Sequence, residues 1–339
     1  MDSRTPALHF VPYGELDGAP HVVVDGSPTE GTVLCLSHWP GIESPVEFAA
    51  DTSAEMAFSY LGAFDRHAGA EAVSNNHFDQ DGLVSVFALT APGEALERRD
   101  LLVDVARAGD FATFSSRDAA HISMAVAAFA DPERSPLPEL AAVTDGAQRT
   151  ALLYEELLGH LREVCDHPDR FHALWGEEEA TLAASEAAVE SGAVSISEVD
   201  DIDLAVVTVA PGAPDRGGHR FTGAWVDGVH PMAVHNATRR GAILMTRGRA
   251  HQLTYRYESW VQYRSRAVRS RVDLAPLAAQ LNNEETAPGT WVAQPVSALT
   301  PTLSLQGCAE SDIPAPHIRA LVESHLRGAP PAWDPYHSA

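Results

Sequence analysis

Lysine is absent: all 23 basic residues of the 339-residue chain are arginine. That excludes Schiff-base chemistry and the phosphate-gripping lysine of Walker-type loops. Cysteine is scarce. Cys35, Cys165 and Cys308 are odd in number, far apart and in no metal-ligand spacing. Such usage predicts reduced thiols in a cytoplasmic protein rather than a disulfide framework. No apolar run approaches the ~20 residues needed to span a bilayer. The opening stretch MDSRTPALHFVPYGELDG has no basic segment leading into an apolar one, so neither a secretory signal nor a membrane partner is expected.

What is abundant is acid. The formal net charge is −24, and residues 216–271 depart from it sharply, with eleven Arg against Asp227 and Glu258. That segment carries +9 and the remainder −33. An acidic body disfavours long nucleic acids and anionic membrane surfaces, but it leaves room for a local anion site. Hydrophobic content of 45% is ordinary for a globular chain, and the length supports a large core divided into two or more parts.

Patterning predicts an α/β protein. Residues 1–135 read as a mostly parallel sheet with flanking helices, with strands at 21–26, 32–37 and 72–74. Residues 136–195 read as a helical connector, with Glu177, Glu178 and Glu179 on a solvated face. Residues 196–339 read as a smaller, β-rich α+β lobe bearing the arginines, with a hairpin across 247–249 and Arg256 on its polar face. A strand is also expected at 221–226.

The strand ends carry the chemistry. After the strand at 72–74 comes Asn75-Asn76-His77-Phe78-Asp79-Gln80-Asp81-Gly82, then Leu83, Val86, Phe87 and Leu89 at helical spacing. This reads as a strand, a turn at Gly82 and a helix. His77, Asp79 and Asp81 then lie at the carboxyl edge of the sheet, where open α/β folds bind ligands. Spaced by two along an extended segment, they would face one side together. One imidazole and two carboxylates suit a divalent cation such as Mn²⁺ or Mg²⁺. Asp25 and His38, at the ends of the two preceding strands, are expected to join them. So is Asp110, placed just beyond a helix over 94–107, whereas Asp104 on that helix reads as a surface or salt-bridging residue.

HFDQDGLVSVFAL, residues 77–89, resembles the first motif of the DHH phosphoesterase superfamily, H-x-D-x-D-G-L-x-S on a strand–turn–helix. The resemblance implies Mn²⁺ bound by His77, Asp79 and Asp81, activating water against a phosphoester or phosphoanhydride. It covers about a dozen residues. The superfamily's Asp-His-His triplet is absent, and its nearest analogue, Ser37-His38-Trp39, precedes the motif instead of following it. Gly217-Gly218-His219 resembles the glycine–histidine motif of a C-terminal domain often attached to such enzymes. Over its whole length the chain resembles a bacterial family that supplies no substrate.

A second constellation, His235, Asn236, Arg239 and Arg240, is expected at a strand end, where arginine forks would grip a phosphate. The expected activity is metal-dependent hydrolysis of a small phosphorylated or nucleotide-type molecule. Two rivals remain: a non-catalytic anion- or nucleotide-binding protein with a degenerate DHH-like fold, and a carbonyl or carbon–nitrogen hydrolase using Cys35 or Ser85 as nucleophile.

Overall fold

A computed structural model describes residues 7–63, 69–213 and 228–337. The strand expected at 221–226 and the Gly217-Gly218-His219 motif lie outside the described residues. The chain forms two compact units, residues 1–179 with 263–265, and residues 180–262 with 266–339.

The first unit is built on a four-stranded parallel sheet. Its strands are β1 (His9–Phe10), β2 (His21–Val24), β3 (Thr32–Leu36) and β4 (Ala72–Ser74), in the spatial order β1-β4-β2-β3. The three valines of β2 are completely buried. Both faces of the sheet are therefore covered at this central strand, the usual state of a parallel sheet and the reason it reads as an unbroken apolar run. Five helices pack here: α1 (Ser53–Leu61), α2 (Gln80–Thr90), α3 (Pro92–Glu97), α4 (Arg99–Asp110) and α5 (Arg117–Ala130). Thr52 and Glu55 form a capping box that fixes the start of α1.

The connector expected over 136–195 is not a separate body. α6 (Gly146–Asp166) buries Leu153, Tyr154, Leu157 and Leu161, and it packs against α2 and α5. The boundary between units falls inside α7 (His172–Glu190). Its acids are not simply solvated: Glu179 pairs with Arg117 and His121, and Glu178 is buried beside Arg134. Asp104 is likewise no surface residue, since its carboxylate accepts the Ser115 and Ser116 backbone N–H groups at the start of α5.

The second unit holds a six-stranded sheet. Its strands in chain order are β5 (Val194–Val199), β6 (Leu204–Val209), β7 (Ala242–Arg247) and β8 (Ala250–Tyr255), with α8 (Pro231–Ala237) between β6 and β7. The short β9 (Arg271–Val272) and α9 (Ala275–Glu284) precede β10 (Thr290–Ala293) and β11 (Thr302–Gln306). α10 (Ala315–Gly328) and β12 (Pro331–Trp333) end the fold, β12 pairing with β9. Among the described strands of this sheet, only β6 and β7 run parallel. Alternate residues feed two cores: Leu204, Val206 and Leu244 on one face, Ala205, Val207, Ile243 and Met245 on the other. Arg256 is not on a polar face; it is buried, paired with Glu258, and donates to the Thr238 carbonyl. No helix among the described residues is long and apolar enough to cross a membrane.

Candidate metal centre

The strand order places a switch point between β2 and β4, because the chain leaves β2 in one direction to β3 and returns on the other side to β4. Ligands collect outside the carboxyl ends of strands at such a point. Asp25 follows β2 directly, with φ +46, a left-handed conformation that aspartate tolerates better than most residues. Gly26 comes next, and a Cβ there would lie 2.2 Å from Asn76 Oδ1, so a larger residue would require the Asn76 side chain to move away.

The turn after β4 is shaped by its own polar side chains. Asn75 Oδ1 accepts the His77 backbone N–H at 2.9 Å. Asp79 is the N-cap of α2, accepting the Gly82 N–H at 2.8 Å. Gly82 therefore lies in the first helical turn and is not the turn expected before the helix. A Cβ at Gly82 would meet Asn75 Nδ2 at 2.4 Å and Tyr154 Oη at 2.5 Å. Alanine in a helix gains up to ~1 kcal/mol over glycine, whereas overpacking costs about 1–3 kcal/mol. Gly82→Ala is thus expected to lower the denaturant midpoint, and an unchanged or raised midpoint would show that Tyr154 does not press on this turn.

Two side-chain clusters result, joined by one carboxylate. In the inner cluster Asp25, His38 and Asp81 come together; in the outer one Asp25, His77 and Asp79 do. His38 Nε2 lies 3.5 Å from Asp25 Oδ1, 3.8 Å from Asp81 Oδ2 and 3.4 Å from Asp110 Oδ2. His77 Nε2 lies 3.3 Å from Asp25 Oδ2 and 3.0 Å from Asp79 Oδ2. The two oxygens of Asp25 thus face opposite clusters. The inner side chains are at most 5% exposed, while His77 and Asp79 are 32% and 34% exposed. One cluster is sealed and the other meets solvent.

The surroundings fit a cation. His38 Nδ1 donates to the Asp51 carbonyl at 2.5 Å, which directs Nε2 at the three carboxylates. A hydrogen bond of this kind on the far ring nitrogen is how metal-ligating histidines are oriented. Donors on one ion at bond lengths near 2.1 Å lie roughly 3–3.5 Å from one another, close to the separations found here. The Asp81 carboxylate accepts the Ser53 and Ala54 N–H groups at 2.7 Å each, at the positive end of α1, and Ser53 Oγ donates to Asp25 Oδ1 at 3.0 Å. Asp51 Oδ1 meanwhile accepts the Arg264 and Ser265 N–H groups, tying the Tyr263–Ser265 segment beside the centre.

Electrostatics show a surplus of negative charge. Burial, with Asp25 and Asp79 nearby, pushes the Asp81 carboxyl well above its usual range. Burial works against the His77 imidazolium, yet Asp79 and Asp25 outweigh it and raise His77 to about 11. Burial also opposes ionisation of Asp79, and the neighbouring His77 more than reverses that. The Tyr154 phenol is held well above its usual range by burial and by the three carboxylates beyond it. Both His77 and Asp81 hold a proton more tightly than usual, the direction that excess negative charge produces and that divalent ions would relieve.

The sequence expectations thus divide. His77, Asp79, Asp81, Asp25, His38 and Asp110 are all at one sheet edge, but His77, Asp79 and Asp81 do not converge on one ion. The reason is local: α2 begins at Gln80, so the extended backbone assumed through Asp81 stops at Asp79. Asp110 is the last residue of α4 and not part of a loop beyond it. The sequence marks Ser53 only as a residue near the cap of a helix starting at 51–55, where Thr52 is the cap, and it does not mark Asn75 or Tyr154. In the second unit, His235 and Asn236 sit on α8 and not at a strand end, and Arg240 is bound to Glu198 and Asp200. Cys35 is poorly suited as a nucleophile, because burial and then Asp25 push its thiol up to about 12. Ser85 is wholly buried within α2.

A parallel-sheet unit with a histidine–aspartate cluster at its switch point, followed by a mixed-sheet unit, defines the class of this protein. The chain belongs to DUF6687, a family of unknown function, which matches residues 6–337. No curated protein and no solved structure matches it.

Proposed function

We propose that the protein is a divalent-cation-dependent hydrolase of small phosphorylated or nucleotide-type molecules, with Mn²⁺ or Mg²⁺ as the cation. The observation that carries this reading is Asp25, whose two carboxylate oxygens face two separate His/Asp clusters. A shared carboxylate between two such clusters matches the two-cation design used to displace groups at phosphorus. Asp25, His38, Asp81 and Asp110 would hold the inner cation, and Asp25, His77 and Asp79 the outer one. Bound cations supply a more acidic water and a polarised phosphoryl oxygen. Asp51 and the α1 amides hold His38 and Asp81 in place, and the exposed flank of His77 and Asp79 leaves an approach for substrate.

The test is hydrolysis of a generic aryl phosphodiester by purified protein, with and without added Mn²⁺. Metal-dependent turnover is expected, and Asp81→Ala is expected to abolish it while the far-UV circular dichroism persists. Stoichiometric cation binding with no turnover on any phosphoester would instead identify a binding protein built on the same centre.

A further inference from the structure

We propose that the second unit has an anion site of its own, which takes the phosphate group of a small molecule without help from a divalent cation. The site is a cavity of about 430 Å³ lined by Asn236, Thr238, Arg239, Arg240 and Arg266, with Glu198 and Asp203 also in its wall. That volume is within the range of small-molecule pockets. It stands apart from the metal reading, because none of its lining residues belongs to the His/Asp clusters.

The wall is laced by hydrogen bonds, and most of its charge is committed. Arg240 donates from Nε and Nη2 to Glu198 Oε2 at 3.0 and 2.8 Å, and from Nη2 to Asp200 Oδ1 at 2.5 Å. Thr238 Oγ1 donates to the other Glu198 oxygen, and Arg256 holds the Thr238 carbonyl from beneath at 2.7 Å. Asp203, with φ +53, accepts the Arg269 N–H and faces Arg266 Nη1 at 4.0 Å. Both wall carboxylates are therefore turned onto protein groups. Arg239 differs: it is exposed and has no ion-pair partner among the described residues.

Three guanidiniums line the cavity, and because Glu198, Asp200 and Asp203 are directed at Arg240, Arg266 and Arg269, the uncommitted positive charge is that of Arg239, in a chain of net charge −24. A guanidinium recognises oxyanions through paired, charge-assisted hydrogen bonds. Arg239 supplies the free fork, and Arg266, whose contact with Asp203 is long at 4.0 Å, adds positive charge at the same wall. Two cationic groups favour a dianion over a monoanion, which selects phosphate over carboxylate.

The test titrates the full chain with inorganic phosphate in the presence of EDTA, read by calorimetry, with acetate in a parallel titration. Saturable phosphate binding is expected, with acetate at least about tenfold weaker. Arg239→Ala, an exposed position whose loss leaves the fold unchanged by circular dichroism, should weaken phosphate binding about tenfold or more. Arg319→Ala removes a charge elsewhere, on α10, and should bind phosphate as the natural chain does. Absence of saturable binding in EDTA, equal affinity for acetate, an unaffected Arg239→Ala, or an equally weakened Arg319→Ala would each overturn the proposal. Because EDTA removes cations throughout, none of these outcomes depends on whether the metal centre is catalytic.

Discussion

Asp25→Asn is expected to remove cation binding from both clusters at once, and with it hydrolysis. Each of the other ligands serves one cluster only: His38, Asp81 and Asp110 the inner, His77 and Asp79 the outer. Asparagine keeps the shape of aspartate and its tolerance of positive φ, so the turn at 25–26 is preserved. What changes is one negative charge, and one of two anionic oxygens becomes an amide donor. Two-cation stabilisation contributes several kcal/mol at the reacting centre. At ~1.4 kcal/mol per tenfold, its loss corresponds to about a thousandfold or more in rate. His77→Ala is expected to lower cation stoichiometry from two to one per chain, and Asp25→Asn to lower it below one, as read by equilibrium dialysis with elemental analysis. Equal losses from the two variants would contradict a shared ligand.

Cation addition should also stabilise the fold, and this is the second large effect. The centre gathers Asp25, Asp79, Asp81 and Asp110 around two imidazoles, with burial already pushing Asp81 toward its neutral form. A divalent ion at 100 times its dissociation constant adds about 2.7 kcal/mol per site. For a chain of this size that amounts to a rise of several degrees in the unfolding midpoint. The shift should reverse with EDTA and be absent from Asp25→Asn. It should also shrink at low pH, because the ion must displace protons held by Asp81 and His77. A midpoint indifferent to Mn²⁺ at millimolar concentration would remove the basis for a metal at this edge.

Much of this site could be read from the sequence because strand ends announce themselves. Apolar runs mark buried parallel strands, so the first titratable residues after them, Asp25, His38 and His77, had to emerge on one edge. The division of the motif between two clusters was not readable in the same way. It depends on where α2 begins, and Asp79 acting as N-cap moves that start ahead of Asp81.

The missed features share a physical cause, which is that distant partners decide them. Arg256 and Arg271 look like surface residues in any window of sequence. Yet both are buried, Arg271 donating to the carbonyls of Val296, Ala298 and Leu299. Asp104 has the same character, since its backbone partners lie eleven and twelve residues further on. β5 escaped notice because Ser195, Ser197 and Glu198 interrupt its apolar content at the edge of the sheet, where one flank is open. The pairing of Arg240 is hidden in the sequence because Glu198 and Asp200, its partners, belong to a strand and a turn forty residues earlier.

The most direct test of the two-cluster centre is anomalous diffraction from crystals of the full chain grown with Mn²⁺. The account predicts two anomalous peaks per chain, one within bonding distance of each Asp25 oxygen, the inner shared with His38 and the outer with His77. A single peak, or none within reach of Asp25, would contradict it.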